Sequence, residues 1–176
     1  LVQMGGMSFL TDPIWSKIPS PIPLLGPKRF VPAPIAIVDL PKIDLVVISH
    51  NHYDHLDIPT LRSLAARNAQ TLFLVPMGNA ALLRRHGITN VKELDWGQSF
   101  DLPGLTVHCL PAQHWSKRSL TDTNKTLWSS WAVISESRRF YHAGDTGYFS
   151  GFKGIADHLG PFDLAALPIG AYAPRQ

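Results

Sequence analysis

Within seven consecutive residues, Ser49-His50-Asn51-His52-Tyr53-Asp54-His55, the chain carries three imidazoles and a carboxylate. At this composition such a run arises by chance roughly once in a thousand sequences. His50 and His52, two residues apart, project the same way from extended backbone, and the turn that follows brings Asp54 and His55 round to a neighbouring point. Imidazoles with carboxylates are a donor set that suits Zn²⁺, and packing alone gives no reason for three histidines in so short a loop. Two more segments offer the donors needed to close a dinuclear site. One is Pro111-Ala112-Gln113-His114-Trp115, where His114 follows an apolar strand; the other is Phe140-Tyr141-His142-Ala143-Gly144-Asp145-Thr146-Gly147. Each donor stands at a strand end, where loops gather at one edge of a sheet. Asp145 has oxygens enough to bridge two cations.

The elements that must position these groups are legible from periodicity. Residues 43–49 form a short apolar, β-branched run, the pattern of a strand buried on both faces, and it ends on the histidines. A helix is expected from Asp57 as cap, with Pro59 in its first turn and Leu61, Leu64 and Ala65 on one face. A strand over 71–75 and a helix over 79–86 closed by Gly87 follow. Short strands are then expected at 91–94, 99–102, 105–110, 129–135 and 138–142, with turns at Pro103-Gly104 and Glu136-Ser137. A helix over 151–158 leads to an apolar strand at 163–168. At the front, residues 1–3 read as a strand turning at Gly5-Gly6 into a second, 7–11. Strands with helices interposed at both ends make an α/β sandwich.

Composition sets the bounds. At 176 residues one domain is the expectation, and 45% hydrophobic with 16% charged residues excludes a disordered chain or a charged coiled coil. A net charge of +3, spread along the chain, gives no basic track, so no nucleic-acid partner is expected. The lone cysteine, Cys109, excludes a disulfide scaffold and any all-cysteine metal site. The sequence shows no secretory signal pattern and no apolar window of spanning length, which points to a soluble or peripheral protein of the cytoplasm rather than a secreted one. Residues 17–34 carry six prolines, a stiff excursion whose Ile18, Ile22, Leu24, Leu25, Phe30 and Val31 lie beside Lys17, Lys28 and Arg29. Two readings fit: packing against the domain, or a lipid-facing rim.

Thr11-Asp12-Pro13, the 49–55 run, Gln113-His114-Trp115, Ala143-Gly144-Asp145-Thr146-Gly147 and Pro168-Ile169-Gly170-Ala171-Tyr172-Ala173-Pro174-Arg175 together resemble the metallo-β-lactamase superfamily. Gly26-Pro27-Lys28-Arg29, the extension of the loop through Leu56-Asp57, and the stretch from Gln113 through Arg118, Asp122, Asn124 and Leu127-Trp128 to Trp131 are most similar to its N-acylphosphatidylethanolamine-hydrolysing phospholipase D branch. The resemblance implies an αββα sandwich, incomplete here because the first strand and the C-terminal part fall outside residues 1–176. It implies one zinc on His50, His52 and His114, a second on Asp54 and His55, and Asp145 bridging both, so that Asp54 and Asp145 are the carboxylates of the catalytic centre. Asp12 becomes a carboxylate that orients a ligand loop. A water between two such cations loses its proton near neutral pH and can attack phosphorus. The implied substrate is a phospholipid or other phosphodiester, with peripheral membrane contact; the oligomeric state is open. A lactonase or nuclease on the same metals, or an inactive metal-binding fragment, are the alternatives.

Two departures accompany the resemblance. The family's last ligand, a histidine downstream of the Gly-Ala-Tyr-x-Pro-Arg motif, is absent from this sequence, and Ala173 stands where an acidic residue is usual. His142 has two readings, a half-buried strand residue or a side chain that reaches the site, the first preferred; His108 reads as an alternating strand residue, His86 and His158 as helix-end groups. Trp115 is expected to wall the site, Trp128 and Trp131 to be core or rim. Arg118 and Lys117 either meet substrate phosphate or are solvated.

Overall fold

The computed structural model describes residues 1–22 and 25–170. Leu24 of the proline-rich loop, and Ala171 to Arg175 with Ala173 among them, lie outside the described residues. Two five-stranded sheets face one another. The first runs in chain order, β1 (Val2–Met4), β2 (Met7–Thr11), β3 (Leu45–Val47), β4 (Leu72–Pro76) and β5 (Val91–Leu94); the second comprises β6 (Ser99–Leu102), β7 (Leu105–Leu110), β8 (Ser130–Ile134), β9 (Arg139–His142) and β10 (Leu164–Ala166). Strands β2 to β5 pair in parallel, β6 to β9 antiparallel, and β10 joins β9 in parallel.

Alternation decides which face each residue serves. In β3 and β4, Leu45, Val47, Leu72 and Leu74 point between the sheets, where they meet Val107, Cys109, Trp131, Val133 and Phe140 of the second. Val46, Phe73 and Val75 face the opposite way, against Leu61 and Leu64 of α1 (Ile58–Arg67) and Leu83 of α2 (Ala80–Arg85). Burial on both faces is why residues 45–48 and 72–75 are unbroken apolar stretches. On the far side, Ala132 and Tyr141 cluster with Ile155 of α3 (Gly151–Leu159). The layers are therefore helix, sheet, sheet, helix, an αββα sandwich. Trp131 locks the middle of it: fully buried, its indole N–H donates to the Ile48 carbonyl at 2.9 Å, across the sheet interface.

The expected elements lie within a few residues of their predicted bounds. A 3₁₀ turn over Ile37–Asp39 had no sequence signal. Gly5 and Gly6 both have positive φ, as a two-residue hairpin turn demands. Asp57 precedes α1 as expected, yet its carboxylate makes no bond to its own helix backbone; it takes the Thr60 hydroxyl and both the N–H and hydroxyl of Ser16 instead. That ties the start of the proline-rich loop to the helix. Beyond this anchor, the bond of the Arg29 guanidinium to the Ile14 carbonyl holds the loop again, but Ile22, Leu25, Phe30 and Val31 are exposed. Packing against the domain is thus not what these four side chains do.

Candidate metal centre

The loop after β3 is fixed from behind before its histidines are presented. Arg118 Nη1 donates to the carbonyls of Asn51, 2.8 Å away, and Leu56, 2.9 Å away, and its guanidinium lies 4.0 Å over the Tyr53 ring. These contacts make Arg118 a brace of the histidine loop, which neither sequence reading of it foresaw. At the front edge, Asp12 directly follows β2, held at φ +40, a conformation few residues other than glycine adopt. Its carboxylate accepts from the Ser49 N–H and hydroxyl (2.6 Å each), from His55 Nδ1 (2.8 Å) and from His142 Nε2 (2.9 Å). Burial alone would raise the Asp12 pKa, but the two imidazoles beside it hold it well below the ordinary range. The Ser49 oxygen in turn meets His50 Nδ1 at 2.8 Å. One buried carboxylate therefore sets the orientation of His55 directly and of His50 through Ser49, leaving the Nε2 atom of each ring directed elsewhere.

Those atoms converge. His50 Nε2 lies 2.7 Å from His52 Nδ1 and 3.2 Å from His114 Nε2, and the last two are 3.3 Å apart. Zn–N bonds of about 2.0–2.1 Å at a tetrahedral centre separate nitrogens by about 3.3 Å, so these three fit a common cation. Burial pushes the His50 pKa down to about 2, with the neighbouring His55 adding to the effect, and burial likewise lowers His52 and His114. All three rings are neutral at physiological pH, the state in which imidazole binds metal. A second set, His50, His55 and Asp145, also has its donor atoms within 4.8 Å of one another, with His55 Nε2 3.0 Å from Asp145 Oδ2. For His55 burial alone would lower the pKa, but bonds to Asp12 and Asp145 raise it to about 10, and the His55 bond is the main cause that lowers Asp145.

The structure thus gathers His50, His52, His55, His114, Asp145 and Asp12 at one edge of the two sheets. Asp54 stands apart: its side chain is 64% exposed and its Oδ2 lies 4.0 Å from His55 Nε2, in neither set. Trp115 is 45% exposed with its ring 4.4 Å from that of His52, a wall at the mouth of the site. Trp128 donates to the Ala112 carbonyl behind His114. His158 bonds back to the Gly154 carbonyl within α3, the helix-end role expected of it. Sequence reasoning passed over Ser49, and it preferred a half-buried strand role for His142 over the reach toward the site that the structure shows. The signal for both was the same, a polar residue at the last position of an apolar strand that ends at the site.

A family model, the beta-lactamase superfamily domain, matches residues 8–176. The chain belongs to the beta-lactamase superfamily. Within it, the chain is 46% identical to N-acyl-phosphatidylethanolamine-hydrolyzing phospholipase D 1 of Caenorhabditis elegans, over 99% of this chain and 52% of that protein. It is 38% identical to the mitochondrial N-acyl-phosphatidylethanolamine-hydrolyzing phospholipase D of Saccharomyces cerevisiae, over 97% of this chain and 38% of that one. The chain spans about half the length, or less, of these curated relatives. Among solved structures, a possible metal-dependent hydrolase from Veillonella parvula superposes with a TM-score of 0.71 at 17% identity, covering 90% of this chain and 63% of that chain. The family match together with that likeness gives the metallo-β-lactamase fold, and the superfamily chain described here has its candidate ligands where the loops of the two sheets meet.

Proposed function

We propose that this chain carries the dizinc centre of a phospholipase D-type phosphodiesterase acting on N-acylphosphatidylethanolamine-like lipids. The observation that carries the metal part is the convergence of three neutral imidazole nitrogens within 3.3 Å of one another. Identity to two phospholipases of that name, at 46% and 38%, supports the substrate class. In this reading His50, His52 and His114 hold one zinc, Asp54 and His55 hold the other, and Asp145 serves both. Two zinc ions held there would supply a water acidic enough to attack phosphorus at neutral pH, and positive charge to offset the negative charge on the phosphoryl oxygens. Asp12 keeps the Nδ1 proton of His55 away from the reacting edge, and Ser49 does the same for His50. Trp115 shields the mouth on the His52 side. The exposed Ile22, Leu25, Phe30 and Val31, with Lys28 beside them, form a lipid-facing rim.

The test is elemental analysis and turnover of the protein on an N-acylated phospholipid, beside panels of lactones and nucleotides. Two zinc ions per chain are expected, because the ligands are too many for one tetrahedral cation. His50→Ala and Asp145→Asn should each lower turnover by about 10³-fold or more with circular dichroism unchanged, since the loops hang from sheets they do not build. Activity with one ion or none, or near-native turnover in either variant, would overturn the proposal.

A further inference from the structure

His142 is the last residue of β9, in the second sheet, yet its Nε2 reaches across to Asp12, directly after β2 in the first. There it shares Oδ2 of the carboxylate with His55 Nδ1 and the Ser49 hydroxyl. With three donors that oxygen carries more than its two lone pairs, and only the His142 donor comes from outside the first sheet and its loop. The His142 ring is nearly enclosed, its side chain 13% exposed, and its other nitrogen, Nδ1, is buried with no partner among the described residues. A ring placed for packing would not be a histidine with an unpaired nitrogen, because a buried polar atom left unpaired costs stability. Phenylalanine would fill the position without that cost.

We infer that His142 is a positioning residue for the metal centre: by donating to Asp12 it fixes the carboxylate that in turn aims His55 Nε2 toward Asp145. This rests on the dizinc reading above and adds to it a residue that no ligand set includes. Its Nε2 is committed to Asp12, so His142 acts on the metals through Asp12 rather than as a replacement ligand. Partners one step removed from a ligand typically change metal affinity by about 10- to 100-fold.

The experiment titrates zinc into metal-free protein against a competing chelator for wild type, His142→Phe and His142→Gln, and records the thermal midpoint of each metal-free form. Phe keeps the ring and removes the donor; Gln keeps an amide N–H at a similar reach. Wild type should bind two ions, His142→Phe should bind the weaker of the two about 10- to 100-fold less tightly, and His142→Gln should recover most of the loss. The metal-free His142→Phe protein should melt close to the wild-type midpoint, since the bond to Asp12 that is lost and the unpaired nitrogen that is removed oppose one another; a merely structural histidine would instead lower the midpoint and leave affinity alone. Two ions in wild type with unchanged affinity in His142→Phe would overturn this inference and leave the dizinc reading intact. A wild type that takes up a single ion would overturn both.

Discussion

Asp12 concentrates several opposing demands on one side chain. Its positive φ is a strained conformation for a residue with a β-carbon, and it is held there because four hydrogen bonds converge on the carboxylate. The charge state of the surrounding rings follows from the same contacts and gives the metal-free protein a defined pH dependence. His50, kept neutral down to about 2, contributes stability that is present above its ordinary value of 6.5 and is lost as pH falls below it. Asp12, lowered from 3.8, adds a loss in the same direction at still lower pH. His55, raised to about 10, works oppositely: its contribution is complete below 6.5 and disappears as pH rises through about 10. With a chelator present, the urea midpoint should therefore peak near neutrality and decline on both sides. A midpoint still climbing at pH 9 would contradict the assigned role of His55.

At the scale of elements, the histidine loop owes its shape to a residue far along the chain. Replacing Arg118 by Ala leaves the Asn51 and Leu56 carbonyls without their donor and removes the cover over Tyr53, a loss of about 1–3 kcal/mol. Lysine should rescue only part of it: both carbonyls are met by the single nitrogen Nη1, which an ammonium can imitate, but an ammonium has no flat face to lie over the Tyr53 ring. Chemical denaturation of the two variants checks this, and an Arg118→Lys protein as stable as wild type would refute it. The same residue shows where sequence reading stops. Strands β3, β4 and β7 announce themselves because hydrophobic periodicity is local, and the 49–55 run announces itself because its donors are adjacent. Arg118 meets Asn51 only through a contact between residues 67 apart, and no periodicity encodes that. The 3₁₀ turn at Ile37–Asp39, with no buried residue, had no apolar pattern to betray it. The exposed side chains between residues 22 and 31 are a converse case: their apolar types suggested packing as readily as exposure.

For the whole molecule, that exposed set gathers several large apolar side chains in one stretch of the chain. Phe30 is 99% exposed and Leu25 64%, with Lys28 between them also exposed. If this stretch meets a bilayer, the apolar groups enter the acyl boundary while each cation adds about 1 kcal/mol near an anionic surface. Leu25→Ser with Phe30→Ser should then weaken binding to anionic vesicles at least several-fold and leave hydrolysis of a short-chain soluble substrate unchanged; equal vesicle binding would refute the rim. No helix among the described residues is long and apolar enough to cross a membrane. The two sheets also occupy successive stretches of the chain, residues 2–94 and then 99–166, with no strand exchanged between them. A ribosome adding about 5–20 residues per second finishes the first sheet several seconds before the second exists. Through that interval Phe9, Leu45, Val47, Leu72 and Leu74 lack the second-sheet side chains that cover them in the fold, so the nascent chain presents chaperones with an apolar surface that the second sheet later buries.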